Sequence, residues 1–368
     1  MENSKQQIRH FAKLADMREL KEVLEKSRDL IVSGQSDVHT ATQRAIDSIS
    51  ERSESALDEP LLAEKAILEL TGLGVLQPYL DDPLIEEIAI NQPNELQIWS
   101  PRGHKRVELE LSSTAIRNLG LRMLSHSGRR VDRLTPFVDA TIKDGSRLHV
   151  VIPEVTKEHW SLNIRKFRKS RVSLEELWSQ GSLSADHFEK LLAAISSQKS
   201  ILIAGATQAG KTTLMTALLN QLDEHERLVS CEDTFEISVE HNDWVAMQTR
   251  PAGPEGSREI SLRELVKQSL RMRPTRLVIG EVRGAEALDM LVALNSGIPG
   301  LCTIHANSAQ AAIRKLLTLP LLAGDNITES FLKPAITGAF DLVVFCQRDQ
   351  AGNRSVREIL EVNDELFA

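Results

Sequence analysis

The stretch Ile201-Leu202-Ile203-Ala204-Gly205-Ala206-Thr207-Gln208-Ala209-Gly210-Lys211-Thr212-Thr213-Leu214-Met215 decides the fold of this chain. Its first four residues form an apolar run that reads as a buried strand. Gly205 to Thr212 are a complete G-x-x-x-x-G-K-T pattern, and Thr213-Leu214-Met215-Thr216-Ala217-Leu218-Leu219 reads as a helix. Strand, glycine loop and helix in that order make a phosphate-binding loop. The glycines let backbone N–H groups face phosphate oxygens, and the helix N-terminus favours an anion. Lys211 reaches the β- and γ-phosphates of a nucleotide, and the Thr212 hydroxyl is placed to hold Mg²⁺. The nucleotide-binding set expected from this stretch is therefore Gly205, Ala206, Thr207, Gln208, Ala209, Gly210, Lys211, Thr212 and Thr213.

Downstream of the loop, Leu228–Cys231, Leu277–Ile279, Leu301–Ile304 and Leu342–Phe345 are apolar, strand-like runs, with helical segments between most of them. That alternation predicts an α/β fold with a mainly parallel sheet covered by helices. Three of these runs end in residues able to do chemistry. Glu281 follows Leu277-Val278-Ile279-Gly280, where an ATPase needs a carboxylate facing Mg²⁺ and the attacking water. Glu232 and Asp233 close the run at Cys231, where a carboxylate can polarise water or cap a turn. His305 ends Cys302-Thr303-Ile304, on the edge expected to carry the phosphates. Phosphoryl transfer also needs positive charge on the departing phosphate, and Arg147 and Arg165, on or beside strands of an earlier domain, are candidates.

Ahead of the loop, residues 5–32 carry an amphipathic helix pattern through Ile8, Phe11, Leu20, Val23 and Leu24. A weak helical pattern follows at Thr40–Ile49 and a firmer one at Leu61–Thr71, which stops at Gly72. The polar stretch Ser48–Ser55 reads as a linker or helix end. Ile85–Ile90, Leu96–Trp99, Val107–Leu111, Leu148–Ile152 and Leu162–Phe167 read as strands, with a helix at Ala115–Ser127, which together predict an α+β domain. The expected organisation is a helical extension over 1–60, an α+β domain over 61–167, a linker over 168–172 and the α/β domain over 173–368. The basic connector Lys166-Phe167-Arg168-Lys169-Ser170-Arg171 reads either as a solvated linker or as a hinge beside a bound triphosphate.

Composition sets outer bounds. A length of 368 residues suits two or three domains, and 41% hydrophobic with 26% charged residues is globular. Aromatic residues at 4% and a net charge of −8 argue against a general nucleic-acid binder. Cys231, Cys302 and Cys346 lie singly in apolar runs, without metal-ligand spacing, and read as buried core residues in a reducing compartment. No apolar stretch approaches the roughly 20 residues of a membrane span. Met1-Glu2-Asn3-Ser4-Lys5 leads into a mixed-charge helix rather than a signal peptide, so a cytoplasmic protein is expected, reaching membranes through partners only.

Taken in order, the segments Gly72–Leu80, Ile85–Ile88, Gly128–Asp132, Asp144–Leu148, Ile164–Phe167, the phosphate loop, Cys231–Thr234, Thr249–Pro251, Leu270–Pro274, Gly280–Gly284 and Thr303–Asn307 resemble the hexameric type II/type IV secretion ATPases. Within them they are most similar to the CpaF-like motors of Tad/Flp pilus assembly. The resemblance runs from about residue 60 to the end. It implies a RecA-like P-loop ATPase domain after the α+β domain, with ATP and Mg²⁺ bound between the two. Glu232 would belong to the Asp box, Glu281 to Walker B and His305 to the His box, while Arg147 and Arg165 would clamp the γ-phosphate. It implies further a homohexamer at the cytoplasmic face of the inner membrane, working on pilus or secretion platform proteins. Conjugation-type secretion and a regulatory scaffold ring with little turnover are the competing functions. A GTPase is disfavoured by the lack of an N-K-x-D segment. Two departures stand out: Gln208-Ala209 where relatives usually have Gly and Ser, and Ile298-Pro299 within Asn295–Gly300.

Overall fold

The computed structural model describes residues 19–31, 33, 36–51, 59–71, 73–109, 111–125, 127–167, 172–252, 258–324 and 326–367. Residues 5–18 and 32 of the expected helix over 5–32, Gly72, residues 52–55 of the polar stretch and residues 168–171 of the basic connector lie outside the described residues. The chain divides into two compact units, 1–166 and 167–368.

The first unit begins with helices over residues 19–31 (α1), Val38–Ser50 (α2) and Glu59–Thr71 (α3). They meet through a small apolar cluster of Val23, Ala45, Ile46, Ile49, Leu62 and Ala66. After a short helix α4 (Gln77–Asp81) comes a six-stranded, wholly antiparallel sheet. Its strands are β1 (Glu87–Gln92), β2 (Glu95–Ser100), β3 (Gly103–Glu108), β4 (Phe137–Thr141), β5 (Arg147–Val151) and β6 (Ser161–Arg165), in the spatial order β3-β2-β1-β6-β5-β4. Helix α5 (Ser113–Ser125) places Ile116, Leu119 and Met123 in the same core as Ile88, Ile90, Leu148, Val150, Leu162 and Ile164. Alternate residues of these strands face the helix, as the two-residue period requires.

One strand is displaced from its expected position. Alternation pointed to Val107–Leu111, but β3 runs over Gly103–Glu108. Ser100 pairs with Gly103 across a two-residue turn, which fixes the register and ends it at Glu95↔Glu108. Residues beyond Glu108 bond to Asn94 instead: Leu109 N–H donates to its carbonyl and Leu111 N–H to its side-chain oxygen.

The second unit is the expected α/β layer structure. Its strands are β7 (Ile201–Gly205), β8 (Leu228–Glu232), β9 (Trp244–Gln248), β10 (Arg276–Val282), β11 (Gly300–His305), β12 (Leu342–Arg348) and β13 (Arg354–Glu361). They lie in the order β13-β12-β7-β11-β10-β8-β9, and all neighbours are parallel except β12 with β13. Strand β7 alternates faces. Leu202 and Ala204 enter a core shared with α9 (Leu262–Ser269), α10 (Glu286–Leu294), α11 (Ala309–Thr318) and α12 (Glu329–Ala339). Ile201 and Ile203 enter a second core with α6 (Leu174–Ser179), α7 (Ala185–Ser196) and α8 (Lys211–Leu219). Helices on both faces explain why the central strands are apolar throughout rather than alternating. Cys231, Cys302 and Cys346 are buried free thiols, and burial pushes the Cys231 and Cys346 thiols up to about 12. A buried ion pair ties the opposite sheet edge. Arg276, fully buried at the start of β10, holds Glu226 through Nε at 2.9 Å and Nη2 at 3.1 Å.

Candidate functional site

Because β7, β11, β10 and β8 are parallel and adjacent, their C-terminal ends share one edge of the sheet. The phosphate loop leaves that edge after β7. After β7 the chain passes over β11 and β10 to reach β8, so the loop lies at the place where strand order reverses, where ligands of open α/β sheets bind. Gly210 caps helix α8 with φ +93°, a left-handed conformation that glycine tolerates without strain. A Cβ on Gly205 would lie 2.5 Å from the Cys346 carbonyl oxygen, so only glycine lets β12 approach the loop this closely.

The loop lysine is buried, with 7% of its surface exposed, and its ammonium group is fully engaged. Lys211 Nζ donates to the Gly205 carbonyl at 3.2 Å and the Ala206 carbonyl at 3.0 Å, and lies 3.1 Å from His305 Nδ1. On the far side of the ring, His305 Nε2 is 2.6 Å from Glu281 Oε1. The other oxygen of Glu281 accepts from Arg283 Nε at 2.5 Å, and Arg283 Nη1 stands 3.9 Å from Asp233 Oδ2. Lys211, His305, Glu281, Arg283 and Asp233 thus form a row of alternating partners. The row follows the strand order β7, β11, β10, β8 across the sheet edge.

The imidazole's protonation follows from its neighbours. Burial and the Lys211 ammonium hold His305 below its usual value, against the pull of Glu281. With its proton on Nε2 the neutral ring makes its two shorter contacts, Nδ1 accepting from Lys211 and Nε2–H donating to Glu281, and leaves the Gly205 carbonyl, 3.3 Å from Nδ1, to the Lys211 ammonium.

Glu232 is placed differently. Its side chain is buried and Oε2 accepts from the backbone N–H of Glu236 at 2.8 Å and of Ile237 at 2.9 Å. It packs on Gly280, where a Cβ would stand 3.1 Å from Glu232 Cγ. Burial pushes its carboxyl up to about 7, against the lowering effect of the two backbone bonds. The row of charged partners therefore includes Glu281 and His305 but not Glu232, which folds the turn after β8.

Within the first unit, Arg147 opens β5 and Arg165 closes β6. The two are direct cross-strand partners, so both side chains leave the same face of the sheet side by side. Arg165 also pairs with Glu87 of β1. Glu87, Arg165 and Arg147 therefore stand at one register across β1, β6 and β5, with a carboxylate residue in the same row as the two guanidinium residues.

Thr212 is half-buried at the start of α8. The oxygen donors Thr212 and Glu281 suit a hard cation such as Mg²⁺, and no cluster of three or more His, Cys, Asp or Glu fit to hold a metal occurs among the described residues.

Arg283 lies within the segment Gly280–Gly284, whose pattern gives it no role, and no sequence signal points to Arg348 and Arg354, which contact the loop from β12 and β13. The signal for Arg283 was its spacing of two residues from Glu281, which returns a side chain to the same side of an extended backbone.

The sequence matches the family described as Type II/IV secretion system protein over residues 69–362. The chain belongs to that family. Family membership also settles the activity: the protein is an ATPase that binds nucleotide. Among its relatives, the type IV secretion system protein VirB11 of Bartonella quintana is 30% identical over 334 residues, covering 80% of this chain and 93% of that one. The type IV secretion system protein PtlH of Bordetella pertussis is 30% identical over 321 residues, covering 79% and 93%. The fold is shared with the pilus retraction motor PilT, solved with bound ADP, at a TM-score of 0.57 and 16% identity over 79% of this chain and 83% of that one. The resemblance read from the motifs therefore holds for the superfamily, and the narrower CpaF-like assignment is not shown. Among the described residues no helix is long and apolar enough to cross a membrane.

Proposed function

We propose that this ATPase is the hexameric motor of a Tad/Flp-type pilus assembly or closely related secretion apparatus. The observation that carries its chemistry is the row Lys211–His305–Glu281–Arg283–Asp233 along the sheet edge beside the phosphate loop. Lys211 exchanges its carbonyl partners for phosphate oxygens, which are stronger acceptors. His305, neutral and bonded to both Lys211 and Glu281, couples any movement of the lysine to the carboxylate. Glu281 orients the attacking water and accepts its proton. Thr212 and Glu281 would hold Mg²⁺, which when bound would supply charge neutralisation for the phosphates of the nucleotide. Arg147 and Arg165 supply the positive charge that the departing γ-phosphate needs. Glu232 supports the edge by fixing the turn after β8, and its raised pKa also suits it to hold a proton near neutral pH.

Two of the relatives are named as type IV secretion system proteins, and the conjugation-type reading is the alternative within the family. A six-subunit ring at the cytoplasmic face of the inner membrane, docked on platform proteins, completes the proposal. Two experiments test it. Light scattering with a slowly hydrolysed ATP analogue should give a six-subunit mass, and a persistent monomer counts against the ring. Cells lacking this chain should lose pili and regain them with the wild-type gene but not with Lys211→Ala. Unchanged piliation with loss of conjugative transfer transfers the assignment to the alternative.

A further inference from the structure

The β12–β13 hairpin crowds the phosphate loop at three points. The Cys346 carbonyl closes on Gly205, at a place where the β12–β13 register shifts between Phe345 and Cys346. Arg348 Nη1 donates to the side-chain oxygen of Gln208 at 2.8 Å. Arg354 Nε donates to the Gln208 backbone carbonyl at 2.9 Å, and its Cδ lies 3.5 Å from where a Cβ on Gly210 would stand. Gln208 itself has φ +61°, a left-handed conformation rarely adopted by a residue with a side chain. A glycine would take that conformation at less cost and would present no side chain to Arg348.

We infer that Arg348 and Arg354 are positioning residues that latch the phosphate loop in its nucleotide-receiving conformation, with the Gln208 side chain as the part gripped by Arg348. Strand β12 continues the parallel sheet beside β7 and β13 folds back antiparallel at its edge, so the hairpin brings Arg348 from the end of one strand and Arg354 from the start of the other against the loop that follows β7. Both bonds have a charged donor, which makes them stronger than bonds between neutral groups. Together they offset the backbone strain at Gln208 and reduce the number of loop conformations that binding has to select. The two arginines differ in what they hold. Arg348 depends on the glutamine side chain, whereas Arg354 holds a carbonyl that every residue has.

This inference rests on the nucleotide-binding reading, and the test separates the two. Arg348→Met, Arg354→Met and Gln208→Gly are compared singly and as the Arg348→Met/Gln208→Gly pair, with circular dichroism confirming the fold. ADP affinity by calorimetry, the KM and kcat for ATP, and amide hydrogen exchange over residues 206–210 without nucleotide are measured. Arg348→Met is expected to weaken ADP about tenfold and raise KM, with kcat changed less, and to speed exchange in the loop. In the Gln208→Gly background the same substitution should do nothing, because its partner is gone. Arg354→Lys should recover part of the loss of Arg354→Met. Unchanged loop exchange in Arg348→Met, or an equal effect in both backgrounds, overturns the latch. A wild-type chain that fails to bind ADP overturns the nucleotide reading instead, while loop exchange still decides the latch.

Discussion

Glu232→Gln separates the structural role of a buried carboxylate from its chemical one. Glu232 is 1% exposed, and its carboxyl is pushed from 4.5 up to about 7 by burial. Between those two values the folded chain keeps a proton that the unfolded chain has released. Stability therefore falls as pH rises through this window and levels off above about 7, because the folded state then carries a buried charge. At roughly 1.4 kcal/mol for each pH unit, this one group costs on the order of 3 kcal/mol at pH 8 relative to pH 4.5. Glutamine keeps an oxygen for the Glu236 and Ile237 N–H groups and turns its NH₂ toward the Ser230 side chain, without a charge to bury. The stronger bonds to the carboxylate are already contained in the value of about 7, so they need no separate subtraction. The variant should thus match wild type near pH 4.5 and exceed it by about 3 kcal/mol at pH 8. Urea denaturation of both proteins at pH 5, 6, 7 and 8 measures the difference, and effects common to both cancel. A difference that is flat with pH, or a variant less stable than wild type at pH 8, refutes the reasoning. If the stabilised variant also loses turnover, Glu232 keeps its charge for function.

Other substitutions have equally definite outcomes. Glu281→Gln should bind nucleotide and lose turnover by roughly a hundredfold or more, as measured by calorimetry and phosphate release. Arg147→Ala and Arg165→Ala should each lower turnover at least about tenfold while weakening ADP much less, because ADP lacks the γ-phosphate; equal losses in the two would make these arginines structural. Arg276→Ala should cost about 3–5 kcal/mol by leaving Glu226 buried and unpaired, whereas Arg276→Met combined with Glu226→Leu should cost far less.

The parts of the fold that were legible share one property, a local signal strong enough to stand alone. The run Ile201–Ala204 and its counterparts after it are apolar because helices cover both faces of the sheet, and each became a strand of the parallel sheet. Three strands gave no such signal. Strand β4 is an edge strand bearing Asp139 and Thr141, and β9 is a half-exposed edge strand. Strand β13 carries Arg354, Arg357, Glu358 and Glu361 on the sheet's other margin. Edge strands are recruited by the pairing of their neighbours, and their composition resembles that of loops. The displaced β3 shows the same effect, since the turn before it and Asn94 overruled the alternation of Val107–Leu111.

The candidate site divides along similar lines. The phosphate loop is contiguous, so its meaning is carried by spacing alone. The contact between Lys211 and His305 joins residues 94 apart, and that between Gln208 and Arg348 joins residues 140 apart. Such pairings come from strand order, which no local pattern encodes. Strand ends pointed correctly to Glu281 and His305 as edge residues, but the partners that set the imidazole's proton and fill both oxygens of the carboxylate required the sheet.

The most direct test of the nucleotide site is phosphate release by the wild-type chain and by Lys211→Ala at saturating ATP and Mg²⁺. Lys211 contributes three hydrogen-bond contacts and the charge beside the loop, and it belongs to no apolar core cluster. The variant should therefore keep the wild-type circular dichroism, with a melting temperature lowered by the loss of these bonds, while its turnover drops to background. Phosphate release near the wild-type rate by a folded Lys211→Ala protein would contradict the placement of catalysis at this loop.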